Sequence, residues 1–232
     1  MASILLGGII ADIRGKLGAL VFSRNKGGAY IRNNTVPINP ATPLQEVLRS
    51  IFTNLVIAWR EVLTPAERDA WAVYGENVTV KNRVGEDITL TGFNHYMRSN
   101  TPRIQSGLTR VDAAPATFSL ADQDATLAFT ASEATQDMSV VFDDTKPWAS
   151  EDDAALIVYA GIPVDPTVNF FKGPWRLSAA IPGNLAVPIT SPQVLTEPYP
   201  VVELQRQTIY GRISRADGRL SEKFLVRDAV AA

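Results

Sequence analysis

The chain has 232 residues, 46% of them hydrophobic and 20% charged, with a formal net charge of −2. That length holds one large domain or two small ones with a real core, and no apolar run approaches the roughly 20 residues a membrane span needs. With no cysteine and one histidine, the composition excludes disulfides, thiol nucleophiles, Cys-ligated zinc and His-rich metal sites.

The opening MASILLGGII is apolar but has no basic flank, and it does not read as a signal peptide. Gly7 to Arg32 then reads GGIIADIRGKLGALVFSRNKGGAYIR, with glycines and a Gly-Lys pair. A Walker A loop places four residues between its first Gly and the Gly-Lys, then Ser or Thr. Here six residues separate Gly8 from Gly15, and Leu17 follows Lys16. The G-x-G-x-x-G turn of dinucleotide-binding folds is missing too. The stretch reads instead as a β-hairpin. Two β-prone runs, Leu17–Phe22 and Ala29–Ile31, flank Asn25-Lys26-Gly27-Gly28, whose glycines permit the positive φ of hairpin turns. Pro37, Pro40 and Pro43 follow, predicting an extended strap over about 35–42.

Pro43 opens a predicted helix to about Val62, with Thr42 as its cap. Leu44, Val47, Leu48, Ile51, Leu55, Ala58, Trp59 and Val62 recur on one face. Thr64, Pro65 and Glu67 form a capping-box signature for a second helix, which Gly75 is expected to end. VTVKN and DITLTG flank RVGED as a short strand pair, and TGFNHYMRSNTPRIQSG reads as a third helix that Pro102 kinks or ends.

After Val111 the texture changes. DAAPA reads as a linker. Seven short β-prone runs follow, at Ala125–Phe129, Met138–Phe142, Ala154–Ala160, Trp175–Ile181, Val187–Ile189, Gln207–Ile213 and Phe224–Arg227. Seven strands separated by turn residues suggest an all-β sandwich. Charge divides in the same way. Residues 1–110 carry 13 Lys and Arg against 8 Asp and Glu, and residues 111–232 carry 9 against 16.

Two resemblances attach to these patterns. Residues 114–228, through AALIVYAG and TIYGRISRADGRLSEKFLV, resemble a fibronectin-type-III or related immunoglobulin-like sandwich. Residues 14–110 resemble a group of proteins from phage and prophage gene clusters. That likeness runs through GKLGALVFSRNKGGAYIR, PINPATPLQEVLRS, AWREVLTPAERDAWAVYGENV and GFNHYMRSN. It implies a structural part of a virion and carries over no catalytic residue.

The residue types that support chemistry do not converge. His95, the only histidine, reads as a helix-surface or partly buried residue, and no G-x-S-x-G elbow accompanies it. Asp143-Asp144 and Glu151-Asp152-Asp153 read as solvated loop residues, with a calcium site or a catalytic pair as alternatives; the EF-hand spacing is missing. Trp59 and Trp71 read as core. Trp148 and Trp175 read as sandwich packing, with a sugar-stacking pair as the alternative. Phe170-Phe171, beside Lys172, is either a contact patch or half-covered packing. The basic hairpin of Arg14, Lys16, Arg24, Lys26 and Arg32 has too few aromatics for base stacking, so a solvated face or a protein-docking face is favoured over nucleic acid.

The sequence therefore predicts an α+β multidomain chain: an extended arm with a β-hairpin and strap (1–42), a small helical domain (43–110) and an immunoglobulin-like β-sandwich (111–232). The expected role is non-enzymatic, in a tailed-phage virion assembled in the host cytoplasm, with a capsid-decorating or cement protein first. A tail, neck or baseplate component, or a carbohydrate-binding or host-adhesion module, is the alternative. No catalytic, cofactor or metal residue is expected. The expected partners are virion proteins and sister subunits in a homo-oligomer. The expected contact residues are Leu20, Phe22, Arg24, Tyr30, Ile31, Arg32, Phe170 and Phe171.

Overall fold

A computed structural model describes residues 2–3, 12–25, 28–36, 39–82 and 85–232. It is a mixed α+β structure with four sheets. The chain forms two compact units, Met1–Gln45 and Glu46–Ala232.

The first unit is an antiparallel sheet of β1 (Ala2–Ser3), β2 (Gly15–Leu17), β3 (Leu20–Asn25) and β4 (Gly28–Asn33), in the order β1-β4-β3-β2. The expected hairpin is β3–β4, but the run Leu17–Phe22 is not one strand: it turns at Gly18-Ala19, between β2 and β3. Asn25 pairs with Gly28, and the intervening Lys26 and Gly27 lie outside the described residues. The β2–β3 turn pairs Leu17 with Leu20 across Gly18, whose φ of 56° is left-handed and suits glycine. Of the strap, Pro37 and Ile38 lie outside the described residues, and the described remainder up to Thr42 has no regular structure.

α1 (Pro43–Ile57), all but its first three residues in the second unit, runs into a π-helical turn (Ala58–Val62) closed by Leu63 N–H donating to Ala58 O at 2.9 Å. After it come α2 (Pro65–Asn77), the pair β5 (Thr79–Lys81) and β6 (Asp87–Thr89), and α3 (Gly92–Gln105). Of the turn between β5 and β6, Arg83 and Val84 lie outside the described residues. Thr64 caps α2 as the sequence predicts: its Oγ1 accepts from Glu67 N–H, and Glu67 Oε2 accepts from Thr64 N–H at 2.7 Å. Of the expected apolar face of α1 and its π turn, Ile51, Leu55 and Ala58 are buried, while Leu44, Val47 and Val62 stay exposed.

Gly75 does not end α2. It lies inside the helix because a Cβ there would sit 2.5 Å from Leu90 O. Gly92 answers it at the start of α3, where a Cβ would sit 2.5 Å from Ala72 N. The two glycines let α2 and the β6–α3 corner touch backbone to backbone. Around that contact Trp71, Tyr74 and Tyr96 form an edge-to-face aromatic core with Ile51 and Leu55. Pro102 is accommodated within the last turn of α3.

The remaining strands are β7 (Ala128–Ala131), β8 (Asp137–Val141), β9 (Ala155–Gly161), β10 (Trp175–Pro182), β11 (Gln193–Thr196), β12 (Arg206–Ser214) and β13 (Phe224–Ala229). They form two antiparallel sheets, β11-β8-β7 and β10-β9-β12-β13. Leu127, just before β7, and Phe129, Met138 and Val140 of the first sheet share one buried core with Leu156, Val158, Ile209 and Ile213 from the second. Six of the seven predicted runs overlap strands. The run Val187–Ile189 does not: Pro188 has no N–H for a ladder, and Asn184 Oδ1 accepts from Ala186 and Val187 N–H in a turn. The strand forms instead at Gln193–Thr196.

All seven residues of β9 are buried, so the four-stranded sheet is covered on both faces. The sandwich core takes Leu156 and Val158. A second apolar cluster on the opposite face takes Ile157, Tyr159 and Tyr210, with Leu108 packed against it. Gln105 of α3 accepts from Tyr159 Oη at 3.0 Å. The end of α3 and the following Leu108 thus pack on the outer face of this sheet. The compact unit runs across residue 110, where the sequence divides a helical domain from a sandwich.

The segment read as a linker is tied down at its start and just beyond its end. Asn100 bonds both Val111 N–H and Val111 O, Trp71 Nε1 donates to Asp112 O at 2.8 Å, and Tyr74 Oη donates to Ser119 O at 3.0 Å.

Candidate functional site

Alternation along the strands sorts the first unit's side chains by face. Cross-strand pairs share a face, so Phe22 lies opposite Ile31, Leu17 opposite Leu20 and Arg24 opposite Ala29. One face therefore carries Leu17, Leu20, Phe22, Arg24, Ala29 and Ile31. The other carries Lys16, Val21, Ser23, Tyr30 and Arg32. The six expected contact residues of the hairpin do not form one patch: Leu20, Phe22, Arg24 and Ile31 are on the apolar face, and Tyr30 and Arg32 are on the basic one.

Between Asp12 and Gln45 no described side chain is buried. Leu17 is 70% exposed and Val36 82%. This unit carries five Lys and Arg against one Asp, and residues 46–232 carry 17 against 23. The sheet is thus a basic element whose apolar face has no buried side chain among the described residues.

Phe170 and Phe171 separate in role. Phe170 is 78% exposed. Phe171 stands edge-on to Trp175, with ring centroids 4.9 Å apart, and fills the space beside Gly161, where a Cβ would lie 2.3 Å from its ring. Trp175 also meets Tyr210 edge-on at 4.8 Å. Trp148 lies in the sandwich core against Phe142. The two tryptophans therefore pack in different clusters and present no shared sugar-stacking platform.

The acidic loops are not simply solvated. Asp143 Oδ1 accepts from Thr145 N–H and Oγ1, Asp144 Oδ2 from Ser191 N–H, and Asp152 Oδ1 from Leu185 N–H. Glu151 pairs with Arg215 and accepts from Ala216 N–H. Asp153 pairs with Arg103 at 2.6 Å and accepts from Thr109. Each carboxylate of these clusters pins a loop or an arginine. Among the described residues, no group of three or more His, Asp or Glu could hold a metal ion.

His95 is not a surface or partly buried residue. It is fully buried, edge-on to Tyr74 at 5.1 Å, and neither ring nitrogen has a hydrogen-bond partner. Burial and then the Arg98 charge hold it neutral, below the usual histidine range. With no substrate access and no orienting carboxylate bonded to its ring, it lacks the geometry of a general base.

The residues with the strongest structural role went unread in the sequence. Arg103 is fully buried and places all five guanidinium donors. Nε donates to Thr109 O; Nη1 donates to Ser214 Oγ and Arg215 O; Nη2 donates to Asp153 O and Oδ2. It ties α3 to the end of β12 and to the loop before β9. Its partners are up to 112 positions away, so no local pattern announces it.

Compared with known proteins, the chain matches no family model, no curated protein and no solved structure.

Proposed function

We propose that this chain is a non-enzymatic structural component of a tailed-bacteriophage virion. In this reading it is a capsid-decorating or cement protein that docks through residues 12–36. The observation that carries the docking role is the four-stranded sheet with no buried described side chain and an apolar face of Leu17, Leu20, Phe22 and Ile31. A sheet gains stability by burying one face, and a partner surface supplies that burial. Arg24 on the same face and Arg32 on the other select an acidic partner. The second unit of a sister subunit, with 17 Lys and Arg against 23 Asp and Glu, has that character. The placement in a phage particle rests on the likeness of residues 14–110 to proteins of phage gene clusters.

The second unit serves in this reading as the rigid body that the arm carries. Its strand order supports an immunoglobulin-like sandwich. Lettered A, B, C, C′, E, F and G in chain order, β7–β13 divide into A-B-E and C′-C-F-G, the partition such domains use. A tail, neck or baseplate position involves the same docking chemistry. A glycan-binding role has less support, because Trp148 is buried and Trp175 is enclosed by Phe171 and Tyr210.

The test is co-sedimentation. A tagged chain expressed during particle assembly is expected to travel with particles through a density gradient. The same chain lacking residues 1–42 is expected to fold and remain in the soluble fraction. A full chain that stays soluble, or a truncated chain that sediments with particles, refutes the reading.

A further inference from the structure

Between α3 and the outer face of the four-stranded sheet lie two adjoining clefts, of about 350 Å³ and about 940 Å³. Arg98, Arg212 and Lys223 line both. The smaller cleft adds Phe52 and Met97 to these three cations and has no acidic residue in its lining.

The three cations differ in how they are satisfied. Arg98 Nη1 donates to Leu220 O at 3.0 Å, and its Nη2 donates to Ser221 O at 3.2 Å and Glu222 Oε1 at 3.1 Å. Burial, and then the neighbouring Arg212, lower its pKa to about 10, which leaves it cationic at neutral pH. Glu222 is thereby engaged. Arg212, on β12 beside Tyr210, has a buried Nε without a hydrogen-bond partner; the Glu222 charge acts on it, but the carboxylate's ion pair is with Arg98. Lys223 lays its ammonium over the Tyr210 ring at 4.8 Å. A guanidinium drawn out of water beside two further cations carries a desolvation and repulsion cost that a bound anion offsets.

We propose that the smaller cleft binds a carboxylate carried on a small apolar body, with Arg212 and Lys223 as its charge partners and Phe52 and Met97 against its apolar part. The guanidinium fork matches a carboxylate's two oxygens. The volume lies at the low end for ligand pockets, which suits an amino-acid-sized group and excludes a nucleotide. The carboxylate belongs either to a free small acid or to a peptide C-terminus, and both share this chemistry. The proposal is independent of the virion reading.

The experiment is a titration of the full ¹⁵N-labelled chain, following the arginine Nε–H resonances. The probes are N-acetylphenylalanine, its neutral C-terminal amide, benzoate and inorganic phosphate. Saturable movement of the Arg212 resonance with N-acetylphenylalanine or benzoate is expected, with the amide weaker by at least about tenfold, as loss of a charge-assisted hydrogen bond implies. Tighter binding of N-acetylphenylalanine than of benzoate supports a peptide terminus, and the reverse supports a free acid. Lys223→Gln, at an exposed position, is expected to weaken binding by about tenfold, and Arg212→Gln to abolish it. Lys146→Gln, a half-buried cation in another loop and outside the cleft lining, is expected to change nothing. The proposal is overturned if no carboxylate moves Arg212 saturably, if the amide binds as well as the acid, if phosphate alone binds, or if Lys223→Gln binds with unchanged affinity.

Discussion

In the sheet of the first unit, Phe22 faces Ile31 across β3 and β4 and both remain half-exposed; in the four-stranded sheet of the second unit, every residue from Ala155 to Gly161 is buried. The two sheets are built from similar material: short antiparallel strands, β-branched and aromatic residues, and glycine turns. They differ in what covers them. The sandwich sheet has a second sheet on one face and the end of α3 with Leu108 on the other, and its polar groups are tied by arginines such as Arg103. The first sheet has hydrogen-bonded pairing and alternation, but none of its described side chains is buried. Strand pairing alone does not make a core, so most of the energy that holds the fold should reside in residues 46–232.

Substitutions can break that contrast. The largest effect is expected for Arg103→Met, which leaves Asp153, Ser214 Oγ and three backbone carbonyls without their donor. Removing one member of such a buried network costs about 3–5 kcal/mol, readable as a lowered denaturant midpoint. A loss below about 1 kcal/mol would mean that the helices and the sandwich are less coupled than these bonds imply.

Gly92→Ala comes next. Its Cβ would lie 2.5 Å from Ala72 N and 2.7 Å from Trp71 O, backbone atoms that move only with α2. Overpacking of this kind costs about 1–3 kcal/mol, and near-UV circular dichroism should report the disturbed Trp71–Tyr74–Tyr96 cluster.

His95 sharpens the comparison through pH. The folded chain holds this ring neutral below its ordinary pKa, while the unfolded chain protonates it near about 6.5. The unfolded state therefore binds more protons as pH falls. His95 contributes its stability fully above that value, and the contribution is lost as pH drops toward the folded pKa. In His95→Phe the acid-side decline between neutral pH and the onset of carboxylate titration should flatten. An unchanged slope would remove His95 from the acid response.

The smallest effect belongs to the first unit. Leu20→Ser, on the uncovered face, should shift the denaturation midpoint of the isolated chain by less than about 0.5 kcal/mol. If it destabilises the isolated chain as a core substitution does, the apolar face is covered within the chain and the docking reading loses its basis.

Much of this chain was decided within a few residues of sequence. The β3–β4 hairpin follows from glycines placed between two β-prone runs. The start of α2 follows from Thr64, Pro65 and Glu67, whose capping bonds span three positions. Even the double burial of β9 was written in ALIVYAG, a continuous apolar run without alternation. What lay beyond the sequence depended on residues brought together from far apart. Gly75 looks like a helix stop until Leu90 is seen against it. DAAPA looks like a linker until Trp71, Tyr74 and Asn100 take up the hydrogen-bonding groups around it. His95 reads as a helix-surface or partly buried residue until Tyr74 of α2 is seen packed against it. The charge of a side chain is set by its type, but its desolvation is set by what packs over it. A donor's partner 112 positions away, as for Arg103, leaves no mark on the local pattern.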